Sequence, residues 1–462
     1  MKKTLIVLAV LAVISAVCFF AFQKSNESEK TVKTEKIREP EKTEETGDAD
    51  KIMESAEDLE EDADAIKTEN YDVVIVGAGM AGLSAAYQVK QIDKSLKMII
   101  LEKDNRVGGR IFNKKFNDLN YSVGASMGYQ KAMMPAELKD KYHFVSQDAP
   151  KGVYFNDRLS LKNTSKEAFN ELTGGKIALN HYKFLNFMVH IEQMADRAEN
   201  RFYKPDEYFE DFDLVSYYES LLSAHTSLNS EVTKIKSKDD HVEIVYMKDG
   251  KKFKTSSKAV VVATPANVVR KVVKGLSETT KKFLDTIKYR GTRIISIVLK
   301  NDPSFVPFSY INIDPKYDFW KIDRYFLKDQ NYAFYTLYSN KLDKLNEKDF
   351  FGRSFSFLQK IGVGNFKEED VLHYEVVYWN LFETNYCEDG SSECEMSFAN
   401  SLVCNGIVEE CINNPVKGIF LAGDYTLLYG GVYPAWCSGK DSAVRALSSL
   451  GLDVKAYIDV RK

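Results

Sequence analysis

The sequence predicts an α/β fold in which a Rossmann-like dinucleotide-binding domain is interleaved with an α+β domain, behind an N-terminal membrane anchor or signal segment. Three observations predict it. An apolar strand leads into a glycine-rich turn and a helix at residues 71–90, and a second glycine-rich turn follows another apolar strand at residues 422–439. An uncharged run occupies residues 5–22. The wide separation of the two turns indicates a domain assembled from distant segments.

The N-terminal segment, residues 1–22, has the pattern of a signal anchor or a signal peptide. Eighteen uncharged, mostly apolar residues run from Leu5 to Phe22, at the lower end of the length that spans a bilayer. Lys2 and Lys3 precede this run, and the positive-inside rule then predicts that the body of the protein is exported. The expectation is a membrane-anchored periplasmic or extracellular protein, or, after signal cleavage, a secreted one.

Residues 23–69 are predicted to be an acidic, disordered linker. They contain 17 acidic and 8 basic side chains and almost no aromatic ones. A segment of this composition buries too little apolar surface to offset the conformational entropy that it would lose on folding.

Composition excludes some classes of partner. The formal net charge is only −4 over 462 residues, so no basic footprint for nucleic acid is present. The six histidines show no metal-ligand spacing, and no metal site is expected. Four of the six cysteines are close together and could form two disulfides in an oxidising compartment or remain free thiols: Cys387, Cys394, Cys404 and Cys411.

The first glycine-rich turn has the spacing of a dinucleotide site. Gly77 permits a tight turn, Gly79 allows the backbone to approach a pyrophosphate, and Gly82 allows the helix to pack on the strand. The free N–H groups at the start of this helix favour phosphate. A second strand, KMIILEK, ends at Glu102, whose carboxylate would accept hydrogen bonds from a ribose 2′-hydroxyl.

The residues after Glu102 discriminate between dinucleotides. Arg106 and Arg110 flank the adjacent glycines Gly108 and Gly109, and arginine provides directed donors for phosphate. With this E-x-x-x-R-x-G-G-R motif the chain resembles the flavin-containing amine oxidase superfamily, which includes monoamine and polyamine oxidases, protoporphyrinogen oxidase and phytoene-desaturase-like enzymes. The resemblance covers most of residues 70–450 and implies FAD as the cofactor.

Three later segments match the same superfamily. The resemblance implies that Gly124-Ala125 lies along the flavin ring and that the backbone of Val232 contacts the adenine end. It also implies that Gly423-Asp424 closes the flavin site, with the helix beginning near Pro434 directed at the ring. The cofactor-binding residues predicted in this way are Gly77, Gly79, Ala81, Gly82, Glu102, Arg106, Gly108, Gly109, Arg110, Gly124, Ala125, Val232, Gly423, Asp424, Tyr433 and Ala435.

The expected substrate pocket departs from the pattern of the relatives. Trp379 matches a tryptophan that precedes the active-site cavity in amine oxidases. Many amine-oxidising relatives place a lysine near flavin N5, but Ile295 or Ser296 occupies that position here, and Lys300 lies four or five residues later. Gly431 falls near one position of the aromatic cage of monoamine oxidases, and the flanking Tyr429 and Tyr433 could substitute for it. No cysteine lies where relatives attach flavin covalently, so noncovalent FAD is expected.

The predicted domains alternate along the chain. The FAD-binding domain comprises residues 70–165, 226–285 and 413–462, and the substrate domain comprises residues 166–225 and 286–412. The predicted function is oxidation of an amine by hydride transfer to flavin N5, with dioxygen as acceptor. Two alternatives are dehydrogenation of an apolar substrate, as in protoporphyrinogen oxidase, and a non-catalytic flavin-binding surface protein. The sequence predicts no substrate identity and no oligomeric state.

Overall fold

The structure is a computed structural model. It describes residues 64–117, 119–125, 133–138, 144–146, 149–175, 207–209, 213–301, 304–314, 316–325, 331–339, 341, 345–385, 415–427 and 431–457. Outside these residues lie the predicted anchor or signal segment 1–22, nearly all of the linker, the four clustered cysteines and Tyr429. In the described part of the chain, no helix is both long and apolar enough to cross a membrane.

The described part of the chain contains both helices and strands. The helices are α1 (Met80–Ile92), α2 (Ser165–Thr173), α3 (Leu214–Leu222), α4 (Ala266–Val272), α5 (Glu278–Thr286), α6 (Glu347–Lys360) and α7 (Val432–Ser449). The strands are β1 (Ile66–Lys67), β2 (Tyr71–Val76), β3 (Met98–Leu101), β4 (Asn113–Phe116), β5 (Leu119–Ser122), β6 (Phe144–Ser146), β7 (Lys151–Phe155), β8 (Arg158–Lys162), β9 (Glu207–Phe209), β10 (Thr226–Ser227), β11 (Ser230–Ser237), β12 (Val242–Lys248), β13 (Lys251–Val262), β14 (Lys288–Lys300), β15 (Tyr310–Ile313), β16 (Phe319–Tyr325), β17 (Tyr332–Ser339), β18 (Val371–Asn385) and β19 (Ile419–Leu421).

The first sheet has eight strands and the topology of a nucleotide-binding fold. Its main path is β10-β3-β2-β13-β12-β11, and β1 and β19 also pair with β13. β2, α1 and β3 form a parallel βαβ unit. Because β3 and β13 flank β2 on opposite sides, the strand order reverses beside the carboxyl end of β2, where such sheets bind their ligands.

Apolar residues cover both faces of the first sheet. Alternate residues of β2 point to opposite faces, with Val73 and Ile75 in the core beneath α1 and α7. Val74 and Val76 pack in the second core with residues of α4 and α5. A strand that is buried on both faces reads as a continuous apolar run, and this explains the sequence signal of residues 73–76.

The second sheet has seven strands in the order β18-β14-β17-β16-β15-β7-β8. All neighbouring pairs are antiparallel except β15 and β7. On one face, the aromatic residues of α6 pack into the core. The opposite face includes Ser296 and Thr336, and Ser296 binds the end of β5. The predicted mixed α/β fold with a Rossmann-like part is therefore confirmed, and the strands of the second sheet lie between those of the first along the chain.

Three of the predicted domain limits differ from the way the elements group into the two sheets. β7 and β8 pair within the second sheet, although residues 70–165 were assigned to the nucleotide-binding domain. Conversely, Leu214 and Tyr218 of α3 pack in the core of the first sheet. β1 falls inside the predicted linker. It pairs with the first part of β13, which extends beyond the amino-terminal end of β2.

Candidate active site

The first glycine-rich turn joins β2 to α1 in the predicted strand–turn–helix arrangement. Gly77 has φ +98°, and a Cβ on it would lie 2.7 Å from the carbonyl oxygen of Ala263. A Cβ on Gly82 would lie 1.8 Å from the carbonyl oxygen of Gly77. Side chains are therefore excluded from both positions, and the N-terminus of α1 is packed directly against the turn.

The diglycine loop packs on this turn. Gly108 donates its N–H to the carbonyl oxygen of Ala78 at 2.8 Å and forms a parallel bridge with Gly79. A Cβ on Gly109, which has φ +55°, would lie 3.1 Å from the Cα of Gly79. Two glycine-rich segments that are thirty residues apart thus form one backbone-lined surface.

Glu102 lies directly after β3 at this surface and is 6% exposed. Its carboxylate accepts the N–H of Ala78 at 2.6 Å and the N–H of Asp104 at 2.9 Å. Burial raises the pKa of the Glu102 carboxyl, and the two backbone hydrogen bonds oppose that shift. The position suits a carboxylate that binds ribose hydroxyls next to the first turn.

The raised pKa of Glu102 predicts a pH dependence of apoprotein stability. The charged carboxylate is the disfavoured form in the folded state, so the free energy of unfolding decreases as the pH rises from the ordinary carboxyl pKa through the raised one. Glu102→Gln should remove this component in apoprotein unfolded with urea across a pH series. Glu69→Gln is the control, since the hydrogen bond from Lys97 lowers the pKa of Glu69 and gives the opposite slope. An unchanged slope in Glu102→Gln would contradict the assignment.

The two arginines of the diglycine loop make different contacts. The guanidinium of Arg106 donates to the carbonyl oxygens of Val107, at 3.0 Å, and Gly109, at 2.7 Å. It also lies 4.1 Å from the ring centroid of Phe112. Arg106 thus stabilises the loop itself, a role that the sequence prediction did not include. Arg110 instead projects to the other glycine-rich turn.

The C-terminal turn follows β19 and meets the diglycine loop through an ion pair. Arg110 Nη2 donates to Asp424 Oδ1 at 2.7 Å, and the Asp424 side chain is 2% exposed. Gly423 has φ +152°, and its N–H donates to Ser438 Oγ at 2.9 Å. The fold therefore brings the two distant glycine-rich turns together, as the sequence predicted.

Helix α7 packs closely across α1. A Cβ on Gly439 would lie 2.0 Å from the carbonyl oxygen of Ala81. Ser84 Oγ in α1 donates to the carbonyl oxygen of Trp436 at 2.9 Å. These contacts fix the beginning of α7, with Ala435 in its first turn, relative to the first glycine-rich turn.

The Gly124-Ala125 segment lies between the diglycine loop and the second sheet. A Cβ on Gly124 would lie 2.3 Å from the carbonyl oxygen of Arg110, and Ala125 donates its N–H to the same oxygen at 2.9 Å. Trp379 Nε1 donates to the carbonyl oxygen of Val123 at 2.9 Å. Trp379 therefore lies beside this segment, and its place near a substrate pocket stays a prediction.

Two further predicted residues have mainly apolar surroundings. Tyr433 is 8% exposed and stacks on Trp436 with ring centroids 5.9 Å apart. Val232 lies in β11, where the pairing with β12 shifts register directly after it. The contacts of both residues with a cofactor remain predictions.

Comparison with known proteins identifies the family. A model of an NAD(P)-binding Rossmann-like domain matches residues 75–131. A model of the flavin containing amine oxidoreductases matches residues 213–447, slightly more than half of the chain. The chain belongs to the flavin containing amine oxidoreductase family. It is therefore an FAD-dependent oxidoreductase, and the prediction of noncovalently bound FAD is confirmed.

Individual relatives are distant. Polyamine oxidase 1 of Zea mays is 21% identical over 54% of this chain and 56% of its own length. The matches cover between 7% and 56% of the curated relatives' own lengths. Cyclohexylamine oxidase from Brevibacterium oxydans has a TM-score of 0.61 at 11% identity, over 83% of this chain and all of that one. A putative protoporphyrinogen oxidase from Exiguobacterium has a TM-score of 0.57 at 13% identity, over 84% and 99%. The structural likenesses are evidence for a shared fold.

The described residues fit FAD. The backbone of the first turn leaves no room for side chains at Gly77 and Gly82, and a buried carboxylate lies beside it. Among the described residues, four buried hydroxyls have no hydrogen-bond partner, and two of them lie at the glycine-rich turns: Thr264 Oγ1, next to Gly77, and the hydroxyl of Tyr425, whose ring packs on Gly423. Both donors could serve a polar ligand. Sequence reasoning missed them because an isolated Thr or Tyr carries no motif, although Thr264 directly follows the strand that closes the nucleotide domain.

Proposed function

We propose that the protein oxidises an amine at the carbon next to nitrogen, with dioxygen as the final electron acceptor. FAD, when bound, supplies the acceptor for the hydride equivalent. The chain's own task is to hold the reacting C–H bond near the ring and to exclude water.

A buried aromatic cluster beside the Gly124-Ala125 segment carries this proposal. Ile294, Trp320 and Tyr338 pack together on the second sheet, with Trp379 against them. Because Trp379 also binds the backbone of Val123, the cluster borders the segment that the resemblance places along the flavin ring. An apolar wall favours a neutral amine over an ammonium ion, and the neutral form is the one that can lose hydride.

All atoms and electrons of the proposed amine oxidation are accounted for without a further reactive group of the protein. The neutral amine loses a hydride from carbon and a proton from nitrogen, and the resulting imine is hydrolysed to a carbonyl compound and ammonia or a smaller amine. Dioxygen takes up two electrons and two protons and becomes hydrogen peroxide. No nucleophile is required of the chain, so the site depends on orientation and the exclusion of water.

A panel of primary and secondary amines tests this proposal. Purified, full-length protein loaded with FAD should release hydrogen peroxide and a carbonyl product in equal amounts with at least one amine. Omission of the amine is the control for uncoupled oxidase activity. Peroxide without carbonyl product, or no peroxide with any amine, would refute amine oxidation with dioxygen.

A second candidate function is dehydrogenation of an apolar ring or chain, as the name of the protoporphyrinogen oxidase neighbour suggests. One observation favours it. Ile295 or Ser296 stands where many amine-oxidising relatives have lysine; Ser296 is 2% exposed, and its hydroxyl binds the carbonyl oxygen of Ser122. The same aromatic cluster would accept an apolar substrate. Carbonyl and ammonia release distinguishes the two functions, because desaturation releases neither.

A further inference from the structure

Two side chains of the second sheet hold consecutive carbonyl groups of the segment that precedes Gly124. Ser296 Oγ, on β14, donates to the carbonyl oxygen of Ser122 at 2.8 Å. Trp379 Nε1, on β18, donates to the carbonyl oxygen of Val123 at 2.9 Å. A single hydrogen bond leaves a peptide free to rotate about it, whereas bonds to two successive peptides fix both its place and its orientation.

The Ser296 contact is fully buried. Thr336 Oγ1, on β17, lies 2.8 Å from Ser296 Oγ, and the two residues face each other across the strand pair. Thr336 is 1% exposed and Ser122 is 7% exposed. Because water does not reach these groups, loss of the Ser296 hydroxyl would leave the Ser122 carbonyl without its strong donor.

The opposite side of the segment is held by backbone. Val123 donates its N–H to the carbonyl oxygen of Phe112, and Ala125 donates its N–H to that of Arg110, each at 2.9 Å. Trp379 also reaches this side, since its ring centroid lies 5.7 Å from the guanidinium carbon of Arg106. The indole therefore contacts both the Gly124 segment and the diglycine loop.

We infer that Ser296 and Trp379 are positioning residues, through which the second sheet sets the place of the Gly124-Ala125 backbone against the FAD ring. The inference rests on the proposed function, in which this segment borders the ring. It gives Ser296 a defined task in the stretch where many amine-oxidising relatives have lysine. The hydroxyl acts through the backbone of Ser122 and not on the substrate.

Three variants test the inference in the full chain: Ser296→Ala, Trp379→Phe and the control Ser354→Ala. Trp379→Phe removes the N–H donor and keeps an aromatic ring. Ser354 is equally buried, but its hydroxyl donates to the carbonyl oxygen of Phe350 within α6, on the other face of the second sheet. The measurements are FAD affinity by titration of apoprotein, visible circular dichroism of the bound flavin, and melting temperature.

Each test variant should bind FAD about twofold to tenfold more weakly, as expected for the loss of one buried hydrogen bond. The visible circular dichroism, which reports the surroundings of the ring, should change in both. Ser354→Ala should lower the melting temperature without changing affinity or spectrum. If Ser296→Ala does not fold, Ser296→Cys, which keeps the volume and weakens the donor, should show the same spectral change.

Lowered melting temperatures with an unchanged spectrum and unchanged FAD affinity would overturn the inference. The contacts of Ser296 and Trp379 would then only stabilise the fold. None of these readouts requires turnover. Failure of every amine as a substrate would therefore refute the proposed function while the spectral changes still supported the positioning role.

Discussion

Gly82→Ala should yield a folded protein that binds FAD about a hundredfold more weakly or not at all. The new Cβ would lie 1.8 Å from the carbonyl oxygen of Gly77 and 2.9 Å from its carbonyl carbon, and both are backbone atoms. Gly77 cannot retreat, because its own Cα faces the carbonyl oxygen of Ala263. Helix α1 must therefore move away from the turn. Overpacking of this kind costs about 1–3 kcal/mol or more, and here it falls on the N–H groups that face phosphate.

The matched control is Gly352→Ala. Gly352 lies in the exposed interior of α6, and a Cβ on it would meet nothing within 4 Å. This substitution should stabilise the protein by about 0.5–1 kcal/mol, because alanine is the better helix former, and should leave FAD binding unchanged. The measurements are FAD titration and urea unfolding. Normal FAD affinity in Gly82→Ala would show that the turn does not hold the cofactor.

Lys321→Met should lower the free energy of unfolding by about 3–5 kcal/mol, because it leaves the carboxylate of Asp323 in a buried site without its ammonium partner. Lys321 Nζ lies 2.8 Å from Asp323 Oδ1, and both side chains are 10% exposed. The ammonium also lies 5.5 Å from the ring centroid of Tyr310 and 5.6 Å from that of Tyr338. Urea unfolding of the FAD-loaded protein measures the loss.

Two controls separate this effect from a general loss of charge. The double variant Lys321→Met with Asp323→Leu should recover most of the stability, since a buried ion pair can be replaced by apolar groups at little net cost. Lys367→Met breaks the pair with Glu369, whose side chains are 63% and 76% exposed, and should change stability by less than about 1 kcal/mol. A double variant as unstable as Lys321→Met would contradict the charge argument.

Local signals predicted the parts of the site that depend on short stretches of chain. Gly77 and Gly82 lie where the spacing placed them, because a Cβ on either would clash with backbone atoms, whereas a Cβ on Gly79 would meet only the Cα of Gly109, at 3.9 Å. Glu102 directly follows the second parallel strand, one residue beyond its pairing with β2. The C-terminal turn was predicted from an apolar strand that Gly423-Asp424 follows.

Contacts between segments that are distant in the sequence could not be predicted from it. β7 joins the second sheet through a parallel pairing with β15, about 160 residues later, and no local pattern specifies that partner. The amphipathic face of α3 predicts burial but not which core receives it. Arg106 is of a residue type that often binds phosphate, yet its guanidinium donates to carbonyl groups of its own loop. Only the folded backbone shows this contact.

Helix α6 could have been found. It lies in the predicted substrate domain, for which the sequence analysis specified no individual helix, and Asn346 caps it by accepting the N–H of Asp349. Phe350, Ser354 and Leu358 then recur at helical spacing on its buried face. The cap and this periodicity are both local signals for a helix.

Anaerobic mixing of the FAD-loaded protein with amines tests the central claim most directly. Without dioxygen, a substrate amine should bleach the flavin absorbance near 450 nm completely, with one equivalent of carbonyl product per flavin and rising rates at higher pH as more amine becomes neutral. Readmission of dioxygen should restore the colour and release one equivalent of hydrogen peroxide. A flavin that stays oxidised with every amine, but is bleached by an apolar substrate without ammonia release, would contradict amine oxidation.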